Sequence, residues 1–167
     1  RRFSSGFLPR AARLGSLQFM IRSFSFTTTG KLHARDIEMF LMPTLLADTN
    51  LFLWVDIEAA TVDEARRILE GVFHFHPLSV EDCLLESPSP KVESYEPKED
   101  DKFAPYLFMV IHAVDFNLQN GLFDTRELNF FLGRNFLVTY HPVPLRCIQE
   151  TEDRCLRSTV HVARAPD

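Results

Sequence analysis

The feature that most constrains this 167-residue sequence is an uninterrupted β-prone run, LFLWVDI, at residues 51–57. A half-exposed strand alternates apolar and polar residues, whereas a strand buried on both faces reads as a continuous apolar run. We therefore expect this segment to lie inside a sheet whose two faces are covered by helices. The only charged residue of the run, Asp56, lies near its end.

Two helices are predicted after this strand. Residues 61–71 begin with Thr61 and Glu64, a capping-box pair whose hydroxyl and carboxylate satisfy amide groups that lack partners at a helix start. The next helix begins at Pro77, where a missing amide hydrogen costs nothing, and ends at Pro88. The residues expected to face the core are Val62, Ala65, Ile68, Leu69 and Val72 in the first helix and Leu78, Val80, Leu84 and Leu85 in the second.

The segment before the buried run predicts two strands and a helix. MIRSFSF, from Met20, alternates in strand fashion, and KLHARD can pair back after a turn at Gly30. Residues 37–46 are apolar at nearly every position, which predicts a short buried helix disturbed by Pro43.

The segment after the helices predicts a short strand, Lys91–Tyr95, and then a meander. Its strands are residues 106–116, 122–132 and 136–141, with a hairpin turn at Asn120-Gly121. A helix over residues 145–158 follows, with apolar residues at helical intervals.

These elements predict an α/β fold with a mixed β-sheet flanked by helices, an α/β/α sandwich. A C-terminal antiparallel meander followed by a helix completes it. Residues 1–19, which carry four arginines and no acid, are expected to be an N-terminal extension, and residues 20–167 to form one domain.

Composition and motifs exclude several classes of function. The net charge of -5 argues against nucleic acid as a partner, because a phosphate-binding face needs a basic excess. The three cysteines lack CxxC spacing and suit a reducing compartment. The longest apolar run, near residues 103–114, is broken by Pro105 and His112 and falls short of the roughly 20 residues of a membrane span. Neither a Gly-rich phosphate loop nor a GxSxG elbow is present, so we do not predict an enzyme.

The segment HFHPLSVED, residues 74–82, resembles a metal site. His74 and His76 have strand-type spacing and would point the same way in an extended segment, where zinc would need further ligands. The alternative is that His76, directly before Pro77, marks the start of a helix.

Glu81 and Asp82 end the same segment, and they also have two interpretations. Near a helix start, acids are stabilised by the helix dipole by a few tenths to about 1 kcal/mol. They are also suitable oxygen ligands for Mg²⁺, which keeps several waters and needs only one or two protein carboxylates. A single helix cannot complete such a site.

Several segments, in order, closely resemble the N-terminal cytosolic domain of CorA-type magnesium and cobalt transporters. They are LFLWVDIEAAT, VFHFHPLSVEDCLLES, PKVESYE, YLFMVIHAV and TRELNFFLGRNFLVTYHP, and the resemblance runs from about Met20 to the end of the chain. The combination of HPLxxED with a following PKVExY is specific. Ser89, where the family commonly has arginine, and the acidic segment PKEDDKFAP depart from the family pattern.

The resemblance implies a homopentamer of the cell inner membrane, with this domain facing the cytoplasm. A stalk helix, two membrane helices and a Gly-Met-Asn pore signature would follow, so contact with the membrane is expected only through that part. It also implies that Asp82, with Glu81 beside it, binds a regulatory Mg²⁺ opposite an acid of the neighbouring stalk, and that the bound ion favours the closed pore. Co²⁺, Ni²⁺ or Zn²⁺ are alternative ions.

Three alternatives stay open from the sequence. One is a zinc-transporting relative of the same family. The second is a soluble metal-dependent enzyme that uses His74, His76, Asp82 and His112. The third is a stand-alone interaction module.

Overall fold

The computed structural model describes residues 20–85, 89–117 and 121–157. A 3-10 turn at Met39–Leu41 precedes the first helix. The elements are β1 (Met20–Thr27), β2 (Leu32–Arg35), α1 (Met42–Ala47), β3 (Leu51–Glu58), α2 (Val62–Leu69), α3 (Pro77–Leu84), β4 (Lys91–Tyr95), β5 (Tyr106–Asn117), β6 (Leu122–Gly133), β7 (Phe136–His141) and α4 (Arg146–Arg157).

All seven strands form one sheet in the order β2-β1-β3-β7-β6-β5-β4. β3 and β7 pair in parallel and the other neighbours are antiparallel, so the predicted mixed sheet is confirmed. The chain crosses from β3 through α2 and α3 to the far edge at β4. The meander then brings it back until β7 lies beside β3.

The two faces of the sheet are covered by different helices, which confirms the predicted sandwich. Helices α1, α2 and α3 pack on the face that carries Leu53, Val55 and Ile57. Trp54, one position out of phase, belongs to the cluster under α4 together with Leu145 and Ile148. Side chains alternate between the faces of a strand, so Asp56 and Glu58 lie on the α4 side.

Local signals in the sequence account for two of the boundaries. Thr61 and Glu64 form the predicted capping box, with the hydroxyl accepting from the Glu64 amide and the Glu64 carboxylate accepting from the Thr61 amide. Gly121 has a φ of 67°, the left-handed conformation that glycine adopts without steric cost.

Three details of the predicted helices were wrong. Pro43 lies in the first turn of α1, where it needs no hydrogen-bond partner, and so it helps to start the helix and does not disturb it. Of that helix only Met42 is buried. Val62 in α2, and Leu78 and Leu85 in and after α3, are exposed and not in the core.

The exposed leucines have a geometric cause. The buried side chains of Val80 and Cys83 mark the face of α3 that packs on the sheet. Because successive residues in a helix are rotated by about 100°, positions 78 and 85 lie on the opposite face.

Some predictions lie outside the described residues: the extension 1–19, the stop at Pro88, Asn120 of the hairpin turn and Ser158 at the predicted helix end.

Candidate functional site

The two histidines of HFHPLSVED each belong to a helix end. His74 has a φ of 55°, so the segment is not extended there, and its Nδ1 lies 2.9 Å from the carbonyl oxygen of Glu70, the C-cap residue of α2. His76 is the N-cap of α3, where its Nδ1 accepts a hydrogen bond from the Leu78 amide at 3.2 Å. The prediction that His76 marks a helix start is confirmed, and His74 also has a structural role that the sequence did not reveal.

His76 is further fixed by the aromatic side chains around it. Its backbone amide donates to the hydroxyl of Tyr106 at 3.0 Å, and its ring lies 5.2 Å from the ring of Tyr95. Tyr106 also bonds to the hydroxyl of Ser79 in α3. These contacts hold the start of α3 against β4 and β5. They therefore also help to fix the orientation of Asp82, which lies further along the same helix.

Asp82 lies in α3 on the side that meets β4, and its carboxylate is paired. Its Oδ2 accepts from the ammonium of Lys91 at 2.5 Å, and 41% of its side chain is exposed. Glu81, the next residue towards the start of the helix, is exposed. The structure therefore separates the two predicted ligands: Asp82 faces a partner in the domain, and Glu81 faces outwards.

The contact between Asp82 and Lys91 is part of a row of polar side chains along one face of β4. Lys91, Glu93 and Tyr95 alternate along the strand and lie on the face that α3 covers. The Lys91 ammonium is 3.5 Å from Oε1 of Glu93, and the Tyr95 hydroxyl donates to Oε2 of Glu93 at 2.9 Å. The segments HPLSVED and PKVESY, which carry the most specific part of the resemblance, thus meet at this row.

The charges of the row shift two pKa values. Burial lowers the pKa of Lys91, but the hydrogen bonds and negative charges of Asp82 and Glu93 together outweigh burial, and the pKa is raised above its ordinary value. Burial and the hydrogen bond to Glu93 raise the pKa of the Tyr95 hydroxyl. Lys91 is therefore a cation, and Tyr95 a neutral donor, at neutral pH.

The residues fit half of a magnesium site. Mg²⁺ needs one or two carboxylates and retains water, and Asp82, whose side chain is 41% exposed in the last turn of α3, would supply one such carboxylate. Among the described residues, no group of three His, Cys, Asp or Glu ligand atoms includes His74, His76, Asp82 or His112. A second half would have to come from another chain or segment.

A second cluster of charged residues, which sequence reasoning missed, is buried on the α4 face. The register places Arg22 of β1 beside Asp56 of β3, and Glu58 of β3 beside His141 of β7. Arg22 Nη2 lies 2.6 Å from Asp56 Oδ2 and 2.8 Å from Glu58 Oε2, and Arg22 Nε lies 3.1 Å from a carboxylate oxygen of Glu152 in α4. We call these five residues the buried ionic cluster.

The chemistry of the buried ionic cluster indicates an internal ion-pair network. Ligand atoms of Asp56, Glu58 and His141 lie within 4.8 Å of one another, the only such triplet among the residues described. However, the guanidinium of Arg22 bonds to both carboxylates and already supplies a cation there. The available signal in the sequence was a pair of acids, Asp56 and Glu58, at the end of a run that predicts a strand buried on both faces.

Neighbouring hydroxyl and imidazole groups complete the environment of Asp56. Thr139, its neighbour in register on β7, donates its hydroxyl to Asp56, and Trp54 Nε1 donates to the same hydroxyl at 3.1 Å. Burial raises the pKa of Asp56, but the hydrogen bond and charge of His141, together with the hydrogen bonds from Thr139 and Arg22, outweigh burial, so that this pKa lies below its ordinary value. For His141 the two effects have the opposite signs. Burial lowers its pKa and the hydrogen bond and charge of Asp56 raise it, and the net result is a raised pKa.

Part of the α4 face of the sheet remains exposed and apolar. Val92 of β4 is 66% exposed, and Leu107 and Ile111 of β5 are also exposed. Ile111 lies opposite Leu128, a residue packed under α4, so the exposed area continues directly from the covered one. We call Val92, Leu107 and Ile111 the open sheet face.

Within the part of the chain that the structure describes, every helix is too short or too polar to cross a membrane.

Comparison with known proteins gives a consistent family. The profile of the family described as "CorA-like Mg2+ transporter protein" matches residues 50–163. Over 113 residues the chain is 32% identical to the putative metal ion transporter YfjQ of Bacillus subtilis (strain 168). The aligned segment covers 68% of this chain and 31% of that protein.

Solved structures share the fold. The full-length CmaX protein matches with a TM-score of 0.61 and 14% identity, over 89% of this chain and 42% of that one. The soluble domain of CorA from Methanocaldococcus jannaschii matches with a TM-score of 0.52 and 15% identity, over 81% of this chain and 46% of that one. The chain spans less than half the length of each of these relatives.

Proposed function

This chain belongs to the CorA-like Mg²⁺ transporter family, and on that premise we propose that it is the cytosolic, divalent-cation-sensing domain of a magnesium and cobalt ion transporter and not an enzyme. The longer protein would be a homopentamer of the cell inner membrane. Its stalk and membrane helices would follow this domain, and the domain would face the cytoplasm.

The observation that carries the proposal is the position of Asp82. Helix α3 holds its carboxylate at the rim of the domain, 41% exposed, next to the charged row of β4. A surface carboxylate on a fixed helix can be shared with an acid of a neighbouring subunit. A buried one, such as Asp56, cannot.

The proposed sensing mechanism follows from electrostatics. Two carboxylates brought together from different subunits repel each other, and a bound dication offsets that repulsion. Asp82 would supply the ligand from this domain, with exposed Glu81 adding negative charge beside it, and the partner acid would come from the neighbouring stalk. Because Mg²⁺ binds the closed assembly better, it shifts the population towards that state, and loss of Mg²⁺ releases it.

The open sheet face, which lies on the α4 side of the sheet and not on the α3 side that carries Asp82, supports a second proposed partner, the domain's own stalk. Val92, Leu107 and Ile111 present an apolar surface that continues from the cluster under α4, and burial of such a surface favours association by about 25 cal/mol per Å². We propose that the stalk of the same protein packs there. Contact with the membrane would then occur only through the helices beyond the stalk.

Ion uptake tests the proposal. The transporter that carries this domain is reconstituted into proteoliposomes, and entry of Mg²⁺, Co²⁺, Ni²⁺ and Zn²⁺ is compared while Mg²⁺ on the domain side is varied. We expect uptake of Mg²⁺ and Co²⁺ that falls as Mg²⁺ on the domain side rises. Uptake that is independent of that Mg²⁺ would overturn the sensing role, and uptake of Zn²⁺ alone would assign the protein to zinc transport.

A further inference from the structure

The ammonium of Lys91 lies near two carboxylates and the face of one aromatic ring. It is 2.5 Å from Asp82 Oδ2 and 3.5 Å from Glu93 Oε1, and it is 5.5 Å from the centre of the Phe108 ring, whose face attracts positive charge. The Lys91 side chain is 27% exposed, whereas the two carboxylates are each more than 40% exposed. The structure therefore places a tethered positive charge on the Asp82 carboxylate, the group proposed as the ligand of a free ion.

The two carboxylates give that charge two positions. The ammonium is bonded closely to Asp82 and loosely to Glu93, and Lys91 and Glu93 point to the same face of one strand. A change of lysine rotamer moves the ammonium towards Glu93 without any change of backbone. Tyr95 holds the other oxygen of Glu93 by donating a hydrogen bond at 2.9 Å, which keeps that carboxylate in place.

We propose that Lys91 is a built-in competitor of the divalent ion: its ammonium occupies Asp82 when Mg²⁺ is low and moves to Glu93 when Mg²⁺ binds. This inference rests on the proposed role of Asp82 as a magnesium ligand and adds the device that sets its threshold. Binding of the ion must break the Lys91–Asp82 contact and bring a dication close to an ammonium. Both effects weaken binding and move the response to higher Mg²⁺ concentrations.

The direct consequence is that removal of the ammonium tightens binding. A half-exposed ion pair and the repulsion between an ammonium and a nearby dication together amount to roughly a threefold to tenfold change in affinity. Lys91→Met keeps most of the aliphatic stem over Phe108 and removes only the charge. Lys31→Met removes the same charge from an exposed site between β1 and β2 and serves as the matched control.

The test is a titration with MgCl2, at constant ionic strength, of the full transporter that carries this domain, because the full protein supplies both halves of the proposed site. Binding is followed by calorimetry, and the position of Lys91 by the NMR shift of its ε-carbon. We expect Lys91→Met to bind Mg²⁺ about threefold to tenfold more tightly than the wild type and Lys31→Met to bind as the wild type does. In the wild type, the Lys91 ε-carbon shift should change in parallel with binding.

Two further variants separate the failures. If Asp82→Asn binds Mg²⁺ as tightly as the wild type, Asp82 is not a ligand and the proposed function itself fails. If Asp82→Asn weakens binding but Lys91→Met does not tighten it, the ligand role of Asp82 stands and the competition by Lys91 is overturned. The double variant Lys91→Met/Asp82→Asn should lose the increase in Mg²⁺ affinity that Lys91→Met produces alone. If it kept that gain, the tightening would not act through Asp82, and the proposal would fail.

Discussion

Asp56 Oδ1 lies 3.2 Å from His141 Nε2, and neither side chain has appreciable contact with solvent. The other ring nitrogen of His141, Nδ1, lies 2.7 Å from the carbonyl oxygen of Val143. A carbonyl can only accept and a carboxylate can only accept, so a ring that bonds to both must donate from both nitrogens. The structure thus contains a buried imidazolium–carboxylate pair, joined through Arg22 and Glu152 to helix α4.

We predict that the stability of the domain falls at mildly alkaline pH because of His141. The pKa of His141 is raised above its ordinary value of about 6.5. Its stabilising contribution is therefore complete below pH about 6.5 and is lost as the pH rises through the folded-state pKa. The charged groups of the cluster around it are the acids Asp56, Glu58 and Glu152 and the base Arg22, so neutralisation of the imidazolium increases an excess of negative charge that is already present.

Urea unfolding between pH 6 and 9 measures this effect. The free energy of unfolding of the wild type should decrease across that range relative to that of His141→Gln. Parallel pH profiles for the two proteins would show that His141 does not titrate between pH 6 and 9 and would contradict the predicted loss of stability.

Asp56→Asn should destabilise the domain strongly. The change leaves Arg22 and the imidazolium of His141 buried beside a neutral amide, and removing one member of a buried ion pair costs about 3 to 5 kcal/mol. Asp36→Asn is the matched control, because its contact with Arg35 is exposed and worth at most about 1 kcal/mol. Chemical denaturation of the two variants should separate them clearly. Equal losses would mean that the buried ionic cluster is not a major source of stability.

His76→Ala should lower stability and leave metal content unchanged. Loss of the N-cap costs about 1 kcal/mol, and loss of the ring contact with Tyr95 adds to it. His33→Ala, in the exposed strand β2, should have little effect. Elemental analysis of the purified chain checks the second part. Stoichiometric zinc in the wild type that disappears in a His74→Ala/His76→Ala variant would support the zinc site.

The open sheet face should matter for assembly and not for folding. Val92→Ser and Leu107→Ser replace exposed side chains, so the unfolding free energy of this chain should change by less than about 1 kcal/mol. In the full transporter they should weaken packing of the stalk and reduce the fraction of intact oligomer on size-exclusion chromatography. Phe40→Ser, which removes an exposed apolar side chain from the turn before α1, is the control. Equal assembly of all three variants would count against this surface as the stalk contact.

The sequence predicted the local features of this fold well. Signals confined to a few residues, such as the capping box of Thr61 and Glu64 and the N-cap position of His76, needed no knowledge of the rest of the chain. The continuous run at residues 51–57 also predicted its own burial, because its pattern depends only on the two faces of one strand.

The rest of the site depended on contacts between distant parts of the chain. Asp56 and His141 are 85 positions apart, and they meet because the meander returns to place β7 beside β3. The sequence does not encode that pairing in any local pattern. The same holds for Asp82 and Lys91, whose contact requires α3 to pack against the edge strand.

Protection from proteolysis by Mg²⁺ is the measurement that tests the central claim most directly. Three forms of the full transporter are digested at increasing Mg²⁺ concentrations: the wild type, Asp82→Asn and Asp63→Asn. Asp63→Asn is the control, because it changes an exposed acid in the first turn of α2. We predict that Asp82→Asn needs a Mg²⁺ concentration for half-protection that is about tenfold or more above that of the wild type, because the loss of one charged ligand costs about 1.4 kcal/mol or more. For Asp63→Asn this concentration should equal that of the wild type. The same half-protection concentration in all three proteins would contradict the assignment of Asp82 as the magnesium-sensing residue.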